Sequence, residues 1–229
     1  TNEVSLIPRE IKETGFPIAR FLSKEEQAGY DDKIKSYGDK ARSSLRIPIK
    51  GSNLFKVLLL NEMGIRTVTL PELECALENG LDLRGNYEDA PSVILRSAGD
   101  SHTPNDYISK GLTKRLKLSN FKTPKIINGL RVVEDEDSAY GLNFDTKDAQ
   151  IIESPDFNNK NHGRNFSRIN NDYSIEFDNN ATRTLYTRNN GVSGLYLNGD
   201  LDLSSRDENL AYSYVNGRVV VVSGEATSQ

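Results

Sequence analysis

The side chains best able to bind another molecule are concentrated in residues 189–223, whose sequence is NNGVSGLYLNGDLDLSSRDENLAYSYVNGRVVVVS. Amides, carboxylates, hydroxyls and tyrosine rings recur there, and these groups hydrogen bond or present an amphipathic aromatic surface. The remaining positions are almost entirely Gly, Val, Leu, Ala and Arg. The candidate ligand-binding residues are Asn189, Asn190, Ser193, Tyr196, Asn198, Asp200, Asp202, Ser204, Ser205, Asp207, Asn209, Tyr212, Tyr214 and Asn216.

The composition of this window points to a feature of the gene. Lys, Ile, Thr, Gln, Met, Phe, Pro and His are all absent from it. Gly, Val, Leu, Ala and one family of Arg codons can be written without adenine, whereas an Asn codon begins with two adenines. Changing either adenine yields Asp, Tyr or Ser among a few others, and Glu208 is the one clear exception. We therefore interpret the window as two sets of positions. One set has codons without adenine, and the other has codons derived from Asn in which adenines have been mutated.

The window resembles the variable region of proteins from diversity-generating retroelements. The similarity is concentrated in SGLYLNGDLDLSSRDENLAYSYVNGRVVVVS and is most specific in LAYSYVNGRVVVVS. In that family an error-prone reverse transcriptase rewrites adenines in a C-terminal cassette, and the protein displays the varied residues on a C-type-lectin-like fold. The resemblance implies one such domain over residues 1–229, with residues 189–223 as the variable cassette that binds a protein or cell-surface ligand.

Two alternatives to a diversified binding protein stay open. Composition alone is also typical of an ordinary Asn-rich and Gly-rich hairpin region. The second alternative is a structural or receptor-binding protein of a virus particle, such as an adhesin or tail protein, with the same fold but no hypervariation. Differences between close relatives of the gene at adenine positions would separate these hypotheses.

One short motif invites a catalytic interpretation. His102 lies beside Asp100 and Ser101, which are the residue types of a catalytic triad. Triads are defined by geometry rather than by proximity in sequence, and no Gly-x-Ser-x-Gly elbow is present. We therefore expect His102 to be a loop histidine, and we expect a protein that binds without catalysis and without a cofactor.

Two groups of acidic residues could supply the oxygen ligands of a calcium ion. Asp200, Asp202 and Asp207 are one group, and the run EDED at 134–137 is the other. The first three fall at positions interpreted as varied, and the second is typical of a solvated turn. We therefore predict that no metal is bound.

Bulk properties exclude several classes of function. Acidic residues outnumber basic ones by 33 to 29 in 229 residues, for a net charge of -4, which gives no electrostatic case for nucleic-acid binding. The apolar run Val57–Leu60 is far shorter than the ~20 residues of a membrane span, so we expect a soluble protein. Cys75 is the only cysteine, which excludes an intramolecular disulfide.

Cellular location and oligomeric state do not follow from the sequence. The N-terminus is polar and has no apolar signal core. Assembly into a virus particle or display on a cell surface stays open.

The order of the predicted secondary-structure elements indicates an α+β fold, with helices in the N-terminal half and antiparallel strands and hairpins in the C-terminal half. We expect a short helix after Pro8 within an N-terminal segment, residues 1–22. Capping boxes at Ser23 and Thr69 predict helix starts. The predicted helices are 24–37, one following Ser52 and ending at Gly64, one from Thr69 to Gly80, and 103–116.

The later half predicts strands and turns. Alternation predicts strands at 92–96, 139–144, 149–152, 173–177 and 182–187, and a polar surface loop at 153–172. Asn-Gly pairs predict three hairpins, at 128–129, 198–199 and 216–217, the last leading into a buried central strand at 219–222. In the cassette, alternation places the leucines on one face and Tyr196, Asp200 and Asp202 on the other, so we expect Leu and Val to be structural and the polar positions not to be.

Overall fold

A computed structural model describes residues 19–223 of the protein, and the helix predicted after Pro8 lies outside this range. The described chain is a mixed α+β structure whose α-helices all precede residue 116, as the sequence predicts. The helices are α1 Lys24–Ile34, α2 Asp39–Leu45, α3 Leu54–Glu62, α4 Leu70–Glu78 and α5 Thr103–Arg115. The strands are β1 Ala19–Phe21, β2 Glu88–Leu95, β3 Lys125–Asn128, β4 Arg131–Glu134, β5 Leu142–Asp145, β6 Gln150–Glu153, β7 Asn165–Ile169, β8 Ile175–Phe177, β9 Arg183–Tyr186, β10 Val192–Leu197, β11 Leu203–Ser204 and β12 Val220–Val222.

Local side-chain bonds explain where the helices begin. Both predicted capping boxes are confirmed, at Ser23 for α1 and at Thr69 for α4. Helix α3 is capped by Asn53 rather than Ser52, because the Asn53 side chain accepts from the backbone N–H of Lys56 at 2.8 Å. Helix α2 was not predicted, and it has no side-chain cap that would reveal it in the sequence.

An eight-stranded sheet forms the centre of the fold, in the order β6-β3-β2-β10-β11-β9-β7-β8. Neighbouring strands are antiparallel except for β11 and β9, which are parallel. One hydrophobic core packs α1, α3 and α5 on one face of the sheet, and a second packs α4 on the other. The strand β2 contributes to both, with Val93 in the first core and Ile94 in the second. Helix α3 is buried from Leu54 to Leu60, which confirms it as the main core helix.

Two predictions for the middle of the chain are wrong. The strands on either side of Asn128-Gly129 do not pair with each other, since β3 pairs with β2 and β6 whereas β4 pairs with β5. An Asn-Gly pair specifies only a local backbone shape, and long-range partners take both edges of β3. The predicted loop 153–172 contains two short 3-10 turns and the strand β7, which buries Phe166 completely.

The strand predicted at 219–222 is present but has a different partner. Strand β12 pairs with β1 in a separate two-stranded sheet, with Ala19 opposite Val222, and so joins the first and last strands of the described chain. The predicted hairpin at Asn216-Gly217 is therefore wrong. Gly217 instead lies 2.8 Å, measured from the position that a Cβ would occupy, from the backbone nitrogen of Ser52, so only glycine fits this approach.

The leucine positions of the cassette can be tested against an exposed neighbour. Leu203 is completely buried between β10 and β9, whereas Val215 is 88% exposed. We expect Leu203→Ala to lower the free energy of unfolding by about 2 to 4 kcal/mol, and Val215→Ala to change it by no more than about 0.5 kcal/mol. Urea midpoints measure both, and equal losses would contradict the assigned burial.

Candidate functional site

The first cassette hairpin is confirmed, but its turn differs from the prediction. Strands β10 and β11 pair with Tyr196 opposite Ser204 and Leu197 opposite Leu203. The residue with a positive φ is Leu201, at 69°, rather than Gly199. The Asn198 side chain holds the turn, since its oxygen accepts from the backbone N–H groups of Asp200 and Asp202 at 2.9 and 3.0 Å.

The structure places the candidate residues in three environments. The exposed ones are Asn189, Asp200, Asn209, Tyr212 and Asn216. Those that are half-buried are Asn190, Asn198, Asp207 and Tyr214. The buried ones are Ser193, Tyr196, Asp202, Ser204 and Ser205.

The expectation that all polar cassette positions are non-structural is therefore wrong for these five buried side chains. Strand β10 lies between β2 and β11 and is covered on both faces, so Leu195 and Tyr196 are buried on opposite sides of it. Alternation along a strand implies solvent on one face only when that face is uncovered.

Ser193 and Ser205 bind a buried arginine. Arg96, which follows β2 and is 6% exposed, donates from Nη1 to the Ser193 hydroxyl at 2.9 Å. Its Nη2 donates to the Ser205 carbonyl, the Ser205 hydroxyl and the Thr187 hydroxyl at 2.8 to 2.9 Å. Burial lowers the pKa of Arg96 to about 9. These serines thus bind both terminal nitrogens of a buried guanidinium, whose Nε has no hydrogen-bond partner among the described residues.

Asp202 is also a structural residue. Its carboxylate accepts from the backbone N–H of Thr184 at 2.7 Å and from the Asn198 amide at 3.2 Å, which fastens the turn to β9. Next to it, Arg183 donates to the carbonyl of Leu201 and forms a two-bond ion pair with Glu74 of α4.

The motif around His102 anchors the start of the cassette rather than forming a triad. The buried Asp100 accepts from Arg188 at 2.6 Å and from the backbone N–H of Val192 at 2.8 Å. Ser101 donates its hydroxyl to Asn190 at 3.1 Å, and His102 Nδ1 lies 3.6 Å from the Glu208 carboxylate. Arg188 also donates to the Ser101 hydroxyl at 3.1 Å. Within residues 19–223 the His102 imidazole faces Glu208 rather than Ser101 or Asp100, so the three side chains are not arranged as a nucleophile, a base and an orienting acid.

Four tyrosines gather where the second half of the cassette meets the segment before β2. We call Tyr87, Tyr196, Tyr212 and Tyr214 the tyrosine cluster. Tyr87 and Tyr214 stack with ring centroids 3.9 Å apart, and Tyr212 meets Tyr214 edge-on at 4.6 Å. Tyr212 is 52% exposed, so the cluster reaches the surface. Tyr87 lies outside the cassette and was missed, because only the backbone contact between Tyr87 and Gly217 brings it there.

One carboxylate joins the tyrosine cluster. Asp207 Oδ2 accepts from the hydroxyls of Tyr196 and Tyr214 at 2.6 and 3.1 Å. Beside it is a cavity of about 20 Å³, which we call the notch, lined by Leu54, Asp89, Gly194, Tyr196, Asp207, Asn209, Leu210, Tyr212 and Tyr214. Burial raises the pKa of Asp89 to about 7, and the charge of Asp207 raises it as well.

The residues proposed for a calcium site do not converge. Asp202 and Asp207 bind separate hydrogen-bond donors, and Asp200 is exposed at the turn. In the run 134–137, Glu134 and Asp135 accept bonds from Gly38 and Tyr107 of neighbouring segments. Over residues 19–223, no group of three or more His, Cys, Asp or Glu side chains could hold a metal ion.

A larger groove of about 1090 Å³ lies elsewhere in the fold. Arg20, Arg66 and Arg131 line it, and each of them forms an ion pair with a glutamate. None of the candidate ligand-binding residues borders this groove. This groove is therefore not the site predicted from the cassette, although it is the larger of the two cavities. The candidate residues line the notch instead.

Comparison with models of known families, with characterised proteins and with solved structures finds no match to the chain. No helix within the described residues is long and apolar enough to cross a membrane.

Asp202 and Asp200 form a matched pair for a test of the turn. Asp202→Ala removes an acceptor for two N–H donors, and we expect it to lower the free energy of unfolding by about 1 to 3 kcal/mol. Asp200→Ala, at an exposed position, should change this energy by no more than about 0.5 kcal/mol. Chemical denaturation measures both, and an unaffected Asp202→Ala protein would contradict the structural role.

Glu88 provides a pH-dependent test of the sheet beneath the notch. Its side chain is completely buried, and neither carboxyl oxygen has a hydrogen-bond partner among residues 19–223. Burial raises its pKa from 4.5 to about 9, and Asp89 acts in the same direction. As pH rises, the unfolded state loses the Glu88 proton before the folded state does. The contribution of Glu88 to the free energy of unfolding is therefore highest below about pH 4.5 and falls as pH rises to about 9, by at most about 1.4 kcal/mol per pH unit.

We expect Glu88→Gln to flatten this part of the stability profile, because the amide does not titrate. The exposed Glu176 is the control site, where Glu176→Gln should leave the profile unchanged. Denaturation at a series of pH values measures the slopes, and parallel profiles for wild type and Glu88→Gln would show that Glu88 is not responsible.

Proposed function

We propose that this chain is a hypervariable ligand-binding protein, diversified by a retroelement through adenine-directed mutagenesis, with its variable residues on a C-type-lectin-like scaffold. The observation that carries the proposal is the division of residues in the second half of the cassette, 206–217. There Leu210 and Gly217, both writable without adenine, are buried, whereas Asn209, Tyr212 and Asn216 are exposed. Arg206 and Val215, also writable without adenine, are exposed as well, but every Asn, Asp, Ser and Tyr of this part is exposed or half-buried. Each position interpreted as varied there therefore reaches the surface, as a variable surface requires.

Glycines near the borders of the cassette support the same proposal. Gly191 has φ of 69°, and a Cβ there would lie 1.9 Å from the carboxylate of the buried Asp100. Every other residue type is excluded at this position, as it is at Gly217. An adenine-free glycine codon at such points would protect the backbone from mutagenesis aimed at adenine.

The surface is chemically suited to a protein or cell-surface ligand. Tyr212 and Tyr214 offer large rings with few rotatable bonds, and exposed asparagines beside them offer adaptable hydrogen bonds, which is the combination that antibody loops use. Tyr214 is already held against Tyr87 by stacking, so little entropy is lost when a ligand contacts it. We propose binding without catalysis and without a cofactor.

A C-type-lectin-like scaffold is supported by the order of elements and not by any matched structure. The helices precede the strands, and β12 returns to pair with β1, so the cassette is held at both ends. This arrangement fixes the cassette backbone while its second half lies outside the sheet.

A second candidate function rests on the buried positions. Ser193, Asp202 and Ser205 each have defined polar partners, as residues of an ordinary fixed structure do. They favour the alternative of a structural or receptor-binding virion protein without hypervariation. Sequencing close relatives separates the two, since hypervariation predicts differences concentrated at Asn209, Tyr212 and their exposed neighbours.

A library varied at Asn209, Tyr212, Tyr214 and Asn216 tests the proposal directly. Selection against unrelated proteins should recover folded variants that differ in what they bind. For any target found in this way, substituting Ala for the residue at position 212 should weaken binding by about 2 kcal/mol or more, as expected of an aromatic hot spot. The melting temperature should stay within a few degrees of that of the unsubstituted protein.

A matched library at Asn170, Asn171, Asp178 and Asn179, which lie outside the cassette, is the control. Equal recovery of binders from both libraries, or folded cassette variants that never differ in their targets, would count against a dedicated variable surface.

A further inference from the structure

The notch has the dimensions of a single small group. Its volume is about 20 Å³, and a site needs roughly 10 to 15 Å³ to hold one water-sized group. Tyr212 lies at its edge and is half exposed, so the notch opens toward the surface through the tyrosine cluster. An ammonium group is close to water in size, whereas a planar guanidinium carries three nitrogens and is too large.

The walls of the notch are negative and aromatic. Asp89 and Asp207 both line it, together with three tyrosine rings, whose faces attract cations. Within the described chain, neither carboxylate belongs to an ion pair. The nearby Lys56 is completely buried and directs its ammonium to the carbonyls of Pro48 and Gly51, at 2.9 Å each.

The polar groups nearby compensate this charge only in part, since the positive charge of Lys56 lowers the pKa of Asp89 against the larger effect of burial. Asp207 accepts two tyrosine hydroxyls, which supply hydrogen bonds but no positive charge. The mutual repulsion of Asp89 and Asp207 contributes to the raised pKa of Asp89. A cation that enters the notch would relieve this repulsion and would contact ring faces at the same time.

We propose that the notch binds a primary ammonium group, namely a lysine side chain of a protein ligand. The alkyl stem would pass Tyr212 and contact Leu54 and Leu210, and the ammonium would lie between Asp89 and Asp207. The identification of the bearer as a protein rests on the proposed function, whereas the choice of ammonium rests on the volume, charge and rings of the notch.

Titration with Nα-acetyl-lysine N-methylamide tests the proposal. The full chain, labelled with ¹³C in its tyrosine rings, is followed by NMR, with the ring signals assigned from single Tyr→Phe variants. We expect saturable shifts of the Tyr196, Tyr212 and Tyr214 signals. The Nε-acetylated probe should cause none, and the corresponding arginine derivative should bind at least about tenfold more weakly, which is 1.4 kcal/mol.

Isosteric variants locate the site. Asp207→Asn and Asp89→Asn should each weaken lysine binding by at least about tenfold, and two independent variants guard against a local loss of structure in one of them. Asp178→Asn is the control, because Asp178 is exposed and does not line the notch, and it should leave binding unchanged.

Several results would overturn the inference. They are the absence of saturable shifts with the lysine probe, equal shifts with its acetylated form or with sodium chloride at the same concentration, and equal affinity for the arginine probe. No lysine binding by the wild-type chain, combined with a cassette library that recovers binders of different targets, would overturn the inference while leaving the proposed function intact. Lysine binding at the notch combined with a library that never changes its targets would instead uphold this inference and refute the proposed function.

Discussion

The antiparallel pairing of β10 with β2 is the interaction on which the rest of the structure depends. It inserts the first half of the cassette into the middle of an eight-stranded sheet, between two hydrophobic cores. Because both faces of β10 are covered, its polar and apolar side chains are buried alike. The same register sets Tyr196 opposite Asp89, which creates the floor of the notch.

This pairing divides the cassette into two parts with different physical demands. In the first part, Ser193 and Ser205 satisfy Arg96, and Asp202 fastens the turn, so substitutions there must provide hydrogen-bond partners for buried groups. In the second part, the chain from 206 to 216 contains no strand and exposes Tyr212 and Val215. Variation at Asn209, Tyr212 and Asn216 would change the surface, whereas variation at Asp207 or Tyr214 would remove the hydrogen bond between them.

Buried ionisable groups are concentrated around the cassette. Glu88 has no hydrogen-bond partner among the described residues, Asp89 and Asp207 repel each other, and Arg96 is held by hydroxyls and a carbonyl rather than by a carboxylate. Desolvated groups of this kind destabilise a fold unless they are paired. Groups with shifted pKa values are concentrated at functional sites of proteins.

What the sequence determined by itself is local. The capping boxes at Ser23 and Thr69, the core helix from Leu54 and the hairpin at 198–199 involve residues a few positions apart, so propensity and hydrogen-bonding type suffice to predict them. Only the tertiary structure decided that β3 and β4 do not pair with each other, that β12 pairs with β1, and that Tyr87 stacks on Tyr214. Strand partners and burial depend on segments that are separated in the sequence, as β1 and β12 are, and no short pattern encodes which face of a strand another element will cover.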